Sequence, residues 1–369
     1  MPQQVTDSDV LNALRPIIDP DFNKSIVDLG FIKNLQIDGD HVAFAIELTT
    51  PACPVKEKFE KAGRENVLAL EGVSAVDVTM TSNTRGRADA ATADVLPGVK
   101  NTIAVASGKG GVGKSTTAVN LALSLRQKGA TVGLLDADVY GPSLPLLTGT
   151  RGRPEVRDQK IIPHTAHGLS LMSIGYLVDD DSPVIWRGPM VHGLIKQFLT
   201  DVIWGELDYL IIDMPPGTGD AALTLTQQAP LSGAIIVTTA NDLSLIDARK
   251  GLRMFQKVQV PVLGILENMS YFTPPDLPDR KYYLYGRGGG ERTAAELDIP
   301  FLGEVPIDTR IVEGGDAGTP IVSIAPDSVA ANAFTDLAGK IARQLVVLAE
   351  RQPAVADTNI TWATDQETG

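Results

Sequence analysis

The chain has 369 residues, 43% of them hydrophobic, and a formal net charge of −13 from 45 acidic and 32 basic side chains. That length and apolar content provide for one large or two ordinary domains with ample core. The acidic balance argues against nonspecific binding to nucleic acid or anionic lipid as the main task, and a single cysteine, Cys53, excludes an internal disulfide.

No apolar run reaches the roughly 18 residues that a membrane span needs. The start, MPQQVTDSDV, lacks a basic region followed by an apolar stretch. Neither a membrane span nor a secretory signal is expected, no stable membrane association follows, and the cytoplasm is the default location. The histidines, at 41, 164, 167 and 192, make no zinc pattern, and His164 and His167 read as solvated side chains.

In chain order, Asp7 can cap an opening helix that carries Val10, Leu11 and Leu14. A strand is expected at 42–48, a helix at 54–70 and a strand at 73–80, which together make a small α+β domain over 1–82. The stretch SNTRGRADAATADVLPGVK is small and polar, and 83–100 reads as a linker. From 101 to 350, short apolar strands at 103–106, 132–135, 209–212, 234–238, 262–266 and 301–305 alternate with helices at 115–128, 190–204, 242–257 and 328–350. Such alternation predicts an α/β domain in which helices cover both faces of a parallel sheet, with ligands at the carboxyl ends of the strands. The helix 190–204 carries a broad apolar stripe that should face the sheet. Gly288-Gly289-Gly290 reads as flexible connection, and 351–369 is polar and expected to be disordered.

The chemistry concentrates in GKGGVGKSTT, 108–117. Gly108-x-x-x-x-Gly113-Lys114-Ser115 fits a phosphate-binding loop between the strand at 103–106 and the helix at 115–128, which aims a helix N-terminus at the phosphates. Backbone N–H groups from Gly108 through Gly110, Gly111, Val112 and Gly113 would wrap phosphate oxygens. Lys114 would reach the β and γ oxygens, and Ser115 and Thr116 would serve Mg²⁺ and phosphate. Asp136-Ala-Asp138 and Asp213 follow apolar strands beside this loop. Asp138 is assigned to orient the attacking water, with Asp136 and Asp213 in the Mg²⁺ shell. Gly217 in PPGTG would offer its N–H to the γ-phosphate.

Lys109, ahead of Gly110-Gly111-Val112-Gly113-Lys114, resembles the signature lysine of the deviant phosphate-loop ATPases, the P-loop NTPase group of the Min and Par proteins. The strings VYGPS, WRGPM, FLTDVIWGELDYLIIDMPPGTGD, ENMSYF and FLGEVPID are similar to the Mrp/ApbC iron–sulfur cluster carrier ATPases over about 100–347. SIVDLGFI and LTTPACP resemble the small iron–sulfur-assembly domain that precedes such ATPases. The resemblance implies a homodimer in which Lys109 crosses to the partner's nucleotide, ATP as substrate, adenine contacts from Asn268 and from Pro306-Ile307-Asp308, and iron–sulfur apoproteins and assembly scaffold proteins as partners. It also implies a Cys-x-x-Cys after NMSYF. Here Pro274 and Leu277 stand in those places, and neither binds iron.

Cys53 precedes Pro54 at an expected helix start, with Lys56 and Lys58 nearby, which should lower the thiol pKa. Two such thiolates, one per copy, would supply half of a four-thiolate iron–sulfur site; the other reading is a buried cysteine acting as a small apolar residue. The functional expectation is therefore an ATP-hydrolysing iron–sulfur cluster carrier. A cluster-free ATPase switch or scaffold for protein clients and a Min/Par-like positioning ATPase are the alternatives.

Overall fold

The computed structural model describes residues 5–84, 86, 95–178 and 188–351. Part of the expected linker, Trp186 and Arg187 of WRGPM, and the tail after Arg351 lie outside the described residues.

The N-terminal region folds around β3 (Ile32–Asp38), β4 (His41–Leu48) and β5 (Ala75–Ser82), with β3–β4 antiparallel and β4–β5 parallel, preceded by the short hairpin β1 (Ile18–Asp19) and β2 (Lys24–Ser25). Helices Asp7–Leu14 and Lys56–Leu68 cover the sheet. Thr6 caps the first helix: its hydroxyl accepts from the Asp9 N–H while the Asp9 carboxylate accepts from the Thr6 N–H. Alternation on β4 sends Val42, Phe44, Ile46 and Leu48 into a separate core with Phe59 and Val67.

The remaining chain builds an eight-stranded sheet in the order β10 (His164–Ala166), β11 (Leu169–Ser173), β7 (Val132–Asp136), β12 (Leu207–Asp213), β6 (Val99–Ser107), β13 (Gly233–Thr238), β14 (Val262–Glu267), β15 (Phe301–Glu304). All pairings are parallel except the edge pair β10–β11, and a two-strand hairpin, β8 (Val156–Arg157) with β9 (Lys160–Ile161), lies apart. Because successive strand residues face opposite sides, the sheet feeds two cores. Ile103, Val105 and Ile211 pack with helices Lys114–Gln127 and Val329–Arg351 on one side. Ala104, Leu210 and Ile212 pack with helices Gly188–Thr200, Asp220–Gln228 and Asp242–Lys257 on the other.

Three expectations shift. The sheet begins at Val99, inside the stretch read as linker, and Leu96 ahead of it is already buried in the core. The helix expected to end at 204 stops at Thr200, although its stripe faces the sheet as expected, with Val191, Ile195, Phe198 and Leu199 buried. Gly288–Gly290 is not a flexible connection: Gly288 is the N-cap, at φ 63°, of the helix Gly289–Glu296.

The two regions touch at the amino ends of the parallel strands. Thr50 Oγ1 lies 2.8 Å from the hydroxyl of Tyr209 on β12, Ala52 enters the core beneath the sheet, and Arg343 pairs with Asp21. Cys53 therefore lies far from the carboxyl ends of the strands.

Candidate functional site

The helix Lys114–Gln127 starts directly after the glycine loop that follows β6, and its N-cap, Gly113, sits in the left-handed region at φ 83°. A side chain there would be strained by backbone alone, and its Cβ would stand 2.1 Å from Asn268 Nδ2. Gly113→Ala should therefore destabilise the protein by about 2 kcal/mol and weaken nucleotide binding, checked by chemical denaturation and by titration with a fluorescent ATP analogue.

β7 and β12 are adjacent and in register at their ends, Asp213 opposite Asp136, so both carboxylates arrive beside the loop. Lys114 is buried. Its ammonium donates to Asp213 Oδ1 at 2.5 Å, lies 3.3 Å from Ser115 Oγ and 3.9 Å from Asp138 Oδ2. Coulomb attraction falls with distance, so Asp213 is the stronger partner and Asp138 the looser one.

Asp138 keeps an unused acceptor: its Oδ1 is buried and has no hydrogen-bond partner among the described residues, and the same holds for Ser143 Oγ. Such groups are costly unless something else fills them. Burial pushes the Asp138 carboxyl above its ordinary range, against the opposing pull of Lys114. Ser115, Asp136, Ser143 and Asp213 are the polar lining of a small crevice floored by Ala118, Val119, Leu134, Leu144 and Leu147. Ser115 and the Asp136 and Asp213 carboxylates in this crevice are hard oxygen donors of the kind Mg²⁺ takes together with its waters.

Asp136 has a further task that its sequence position did not disclose. Its Oδ2 accepts from the N–H groups of Ser143 and Leu144 at 3.0 and 3.1 Å and from Ser173 Oγ at 3.0 Å, and its Oδ1 accepts from the Asp138 N–H at 3.1 Å. Oδ2 is saturated, and only Oδ1 retains a lone pair. Burial and the nearby Asp213 push this carboxyl up, while the Leu144 N–H, the Lys114 charge and the Ser173 hydroxyl oppose that. Asp136 thus fixes the Asp138 turn and the start of the helix Leu144–Thr148.

Gly217 does not match its expected use: its N–H donates to Ser107 O at 2.9 Å and is spent on tying the PPGTG loop to the end of β6. Asn268, at the end of β14, is buried and donates from Nδ2 to Val112 O at 2.9 Å, so the expected base-reading residue braces the phosphate loop. Pro306 follows β15, close by, where Val305 N donates to Glu267 O. Lys109 is half-buried, its carbonyl accepts from Ser107 Oγ at 2.9 Å, and its ammonium has no ion pair among the described residues. Gly110 and Gly111 are exposed at the loop tip, and Thr116 is half-buried in the first helical turn.

Cys53 corrects the sequence-based expectation. The helix begins at Lys56 with Val55 as N-cap, not at Pro54, and the half-buried thiol packs against the N-terminal core. Burial, with Asp19 and Asp21 adding to it, pushes the thiol up to about 11 rather than down. At pH 8 only about one thiol in a thousand would be ionised, so alkylation by iodoacetamide should be far slower than for a free thiol and should accelerate through pH 10. Among the described residues no group of three His, Cys, Asp or Glu side chains converges on a common point. His164 Nε2 and His167 Nε2 contact main-chain carbonyl oxygens instead, Gly152 O for the first and Thr148 O and Gly318 O for the second.

Sequence reading passed over Ser143 and Ser173 as site residues. Ser143 lies within VYGPS, but nothing in the string indicates that its hydroxyl would stay unpartnered.

Comparison with known proteins identifies the family. Residues 98–342 match the family described as NUBPL iron-transfer P-loop NTPase (ParA), and 7–80 match the iron–sulfur cluster assembly protein family. An iron–sulfur cluster carrier protein of Synechocystis sp. is 51% identical over 350 residues, 94% of this chain and 99% of that protein. A chloroplastic Fe-S cluster assembly factor of Arabidopsis thaliana, HCF101, is 48% identical over 92% of this chain and 64% of its own length. A nucleotide-binding protein from Archaeoglobus fulgidus, solved in complex with ADP, is 40% identical, covers 63% of this chain and 92% of its own, and superposes with a TM-score of 0.56. With two family matches that together span most of its length, the chain belongs to the NUBPL-type iron-transfer P-loop NTPases and carries an N-terminal iron–sulfur-assembly domain.

Proposed function

We propose that this protein is a homodimeric, Mg²⁺-dependent ATPase that carries or assembles iron–sulfur clusters and passes them to apoproteins. The observation that carries the ATPase part is the constellation of Lys114, Asp213 and Asp138 beneath the glycine loop, with one buried Asp138 oxygen unpartnered among the described residues.

In this reading the loop N–H groups from Gly108 to Ser115 bind the phosphates, and Lys114 exchanges Asp213 for a phosphate oxygen as ATP enters. Asp138, freed from competition for the ammonium, accepts from the attacking water and orients it. Ser115 and Asp213 would hold Mg²⁺, and Asp136 would support the shell through its free Oδ1 lone pair while positioning Asp138. Mg²⁺ would supply charge neutralisation of the phosphate oxygens. Asn268 and the Pro306 segment read the adenine.

The cluster is cargo. Cys53 is the one thiol this chain could offer it, and because Cys53 lies away from the nucleotide end where Lys109 would cross, the remaining ligands would come from a partner protein or small thiols, with the half-buried thiol more exposed on loading. Anaerobic reconstitution of wild type and Cys53→Ser checks this: iron lost in the variant supports it, and equal iron in both excludes Cys53. A second reading, a cluster-free ATPase scaffold for protein clients, draws on the single cysteine and its high thiol pKa.

Lys109 would act across the dimer. Lys109→Ala should lower the ATPase rate about 10-fold or more and remove its dependence on protein concentration. A rate unchanged at every concentration would end that role.

A further inference from the structure

Glu267, the last residue of β14, is a fully buried carboxylate with no part in the phosphate chemistry. Its Oε2 accepts from the Gly290 N–H at 2.6 Å, and its Oε1 lies 2.7 Å from Ser270 Oγ, whose single proton it shares with Glu304 Oε1 at 2.9 Å. Gly290 lies in the first turn of the helix Gly289–Glu296, whose N-cap Gly288 supplies no side-chain hydrogen bond. A helix start leaves N–H groups without partners and favours negative charge, so Glu267 caps this helix from a neighbouring strand.

The approach is too close for side chains on the helix. A Cβ on Gly290 would stand 3.1 Å from Glu267 Oε2, and one on Gly289 would stand 2.3 Å from Ala240 O. Gly290 serves the Glu267 contact, whereas Gly289 is kept small by Ala240 and Gly288 by its positive φ.

Glu267 also adjoins Asn268, whose side chain braces the phosphate loop at Val112 O. Between Asn268 and the capped helix runs the segment 271–288, pinned near its start by the Ile307 N–H donating to Tyr271 O and by paired bonds between Phe272 and Tyr282. Its outer part carries exposed Leu277, Tyr282, Leu284 and Tyr285. One buried carboxylate thus holds the far end of this segment, and the next residue in the chain touches the nucleotide loop.

We propose that Glu267 is a positioning residue that clasps the helix Gly289–Glu296 to the Asn268 turn, so that nucleotide in the site tightens the segment 271–288. The proposal rests on the ATP-binding reading of the phosphate loop. Nucleotide that engages Asn268 would favour the clasped arrangement, and by linkage whatever engages the segment would raise nucleotide affinity by the same factor.

Exposed Arg280, Lys281 and Arg287 make the segment readable by trypsin. Cleavage after these residues in the full chain would be followed by mass spectrometry, with and without a nonhydrolysable ATP analogue and Mg²⁺, while binding of a fluorescent analogue is measured separately. In wild type the analogue should slow cleavage about 5-fold or more, the lower end of ordinary allosteric coupling. Glu267→Met keeps the volume but removes both acceptors. It should bind the analogue yet show a change below about 2-fold, whereas Glu267→Gln, which retains an acceptor for Gly290, should regain most of the protection. Binding without protection in wild type, or full protection in Glu267→Met, overturns the clasp alone. Failure of wild type to bind the analogue overturns the ATPase reading and the clasp with it. Should Glu267→Met not fold, wild type against Glu267→Gln still decides: no protection in wild type sinks the proposal.

Discussion

Lys114→Met should lower kcat for ATP hydrolysis by about 100- to 1,000-fold, the loss expected when one preorganised charge on a transferring phosphoryl group disappears. A second effect follows from burial. The side chains of Lys114 and Asp213 are 7% and 5% exposed and only 2.5 Å apart. Removing the ammonium leaves a buried carboxylate uncompensated, with Asp138 and Asp136 close to it, and costs about 3 kcal/mol. A denaturant titration beside a phosphate-release assay checks both consequences, with the variant expected to unfold at lower denaturant than wild type. A variant with normal turnover contradicts the assignment of the loop.

Asp138→Asn should behave differently. Its carboxylate is the looser partner of Lys114 at 3.9 Å, so losing its charge strands nothing, and Asp213 still compensates the ammonium. Apparent nucleotide affinity should stay within about 3-fold of wild type while kcat falls about 100-fold or more, the range for a lost water-orienting base. The separation of kcat from affinity is the diagnostic, because a merely structural residue would move both. Pre-steady-state binding of a fluorescent analogue together with single-turnover hydrolysis measures the two. Parallel loss of binding and turnover would assign Asp138 to the nucleotide pocket rather than to the attacking water.

Local spacing made the phosphate loop and its carboxylates legible in the sequence. Short continuous apolar runs placed β6, β7 and β12, and the acidic residues at the ends of two of them come side by side once those strands are parallel and adjacent. Spacing is silent on the number of donors a carboxylate meets after folding. Asp136 was readable as a strand-end acid, yet Ser143, Leu144 and Ser173 reach it from elsewhere in the fold.

The same holds for Cys53. A proline and two lysines suggested an activating helix start, whereas tertiary packing began the helix later, buried the thiol and reversed the direction of its pKa. Gly288–Gly290 showed the converse. Glycines forecast mobility by composition, but a buried Glu267 far away in sequence turned them into a helix start. Edge strands β10 and β11 were passed over because His164–Ala166 is short and Leu169–Ser173 is interrupted by polar serines. Long-range partners, in each case, decided what local sequence left open.

The measurement that tests the central claim most directly is iron and acid-labile sulfide in the wild-type protein after anaerobic reconstitution and gel filtration. The account predicts equal iron and sulfide co-eluting with the dimer, with a visible charge-transfer band. Protein that elutes free of iron and sulfide, with its ATPase intact, would contradict the carrier function and leave an ATP-driven scaffold.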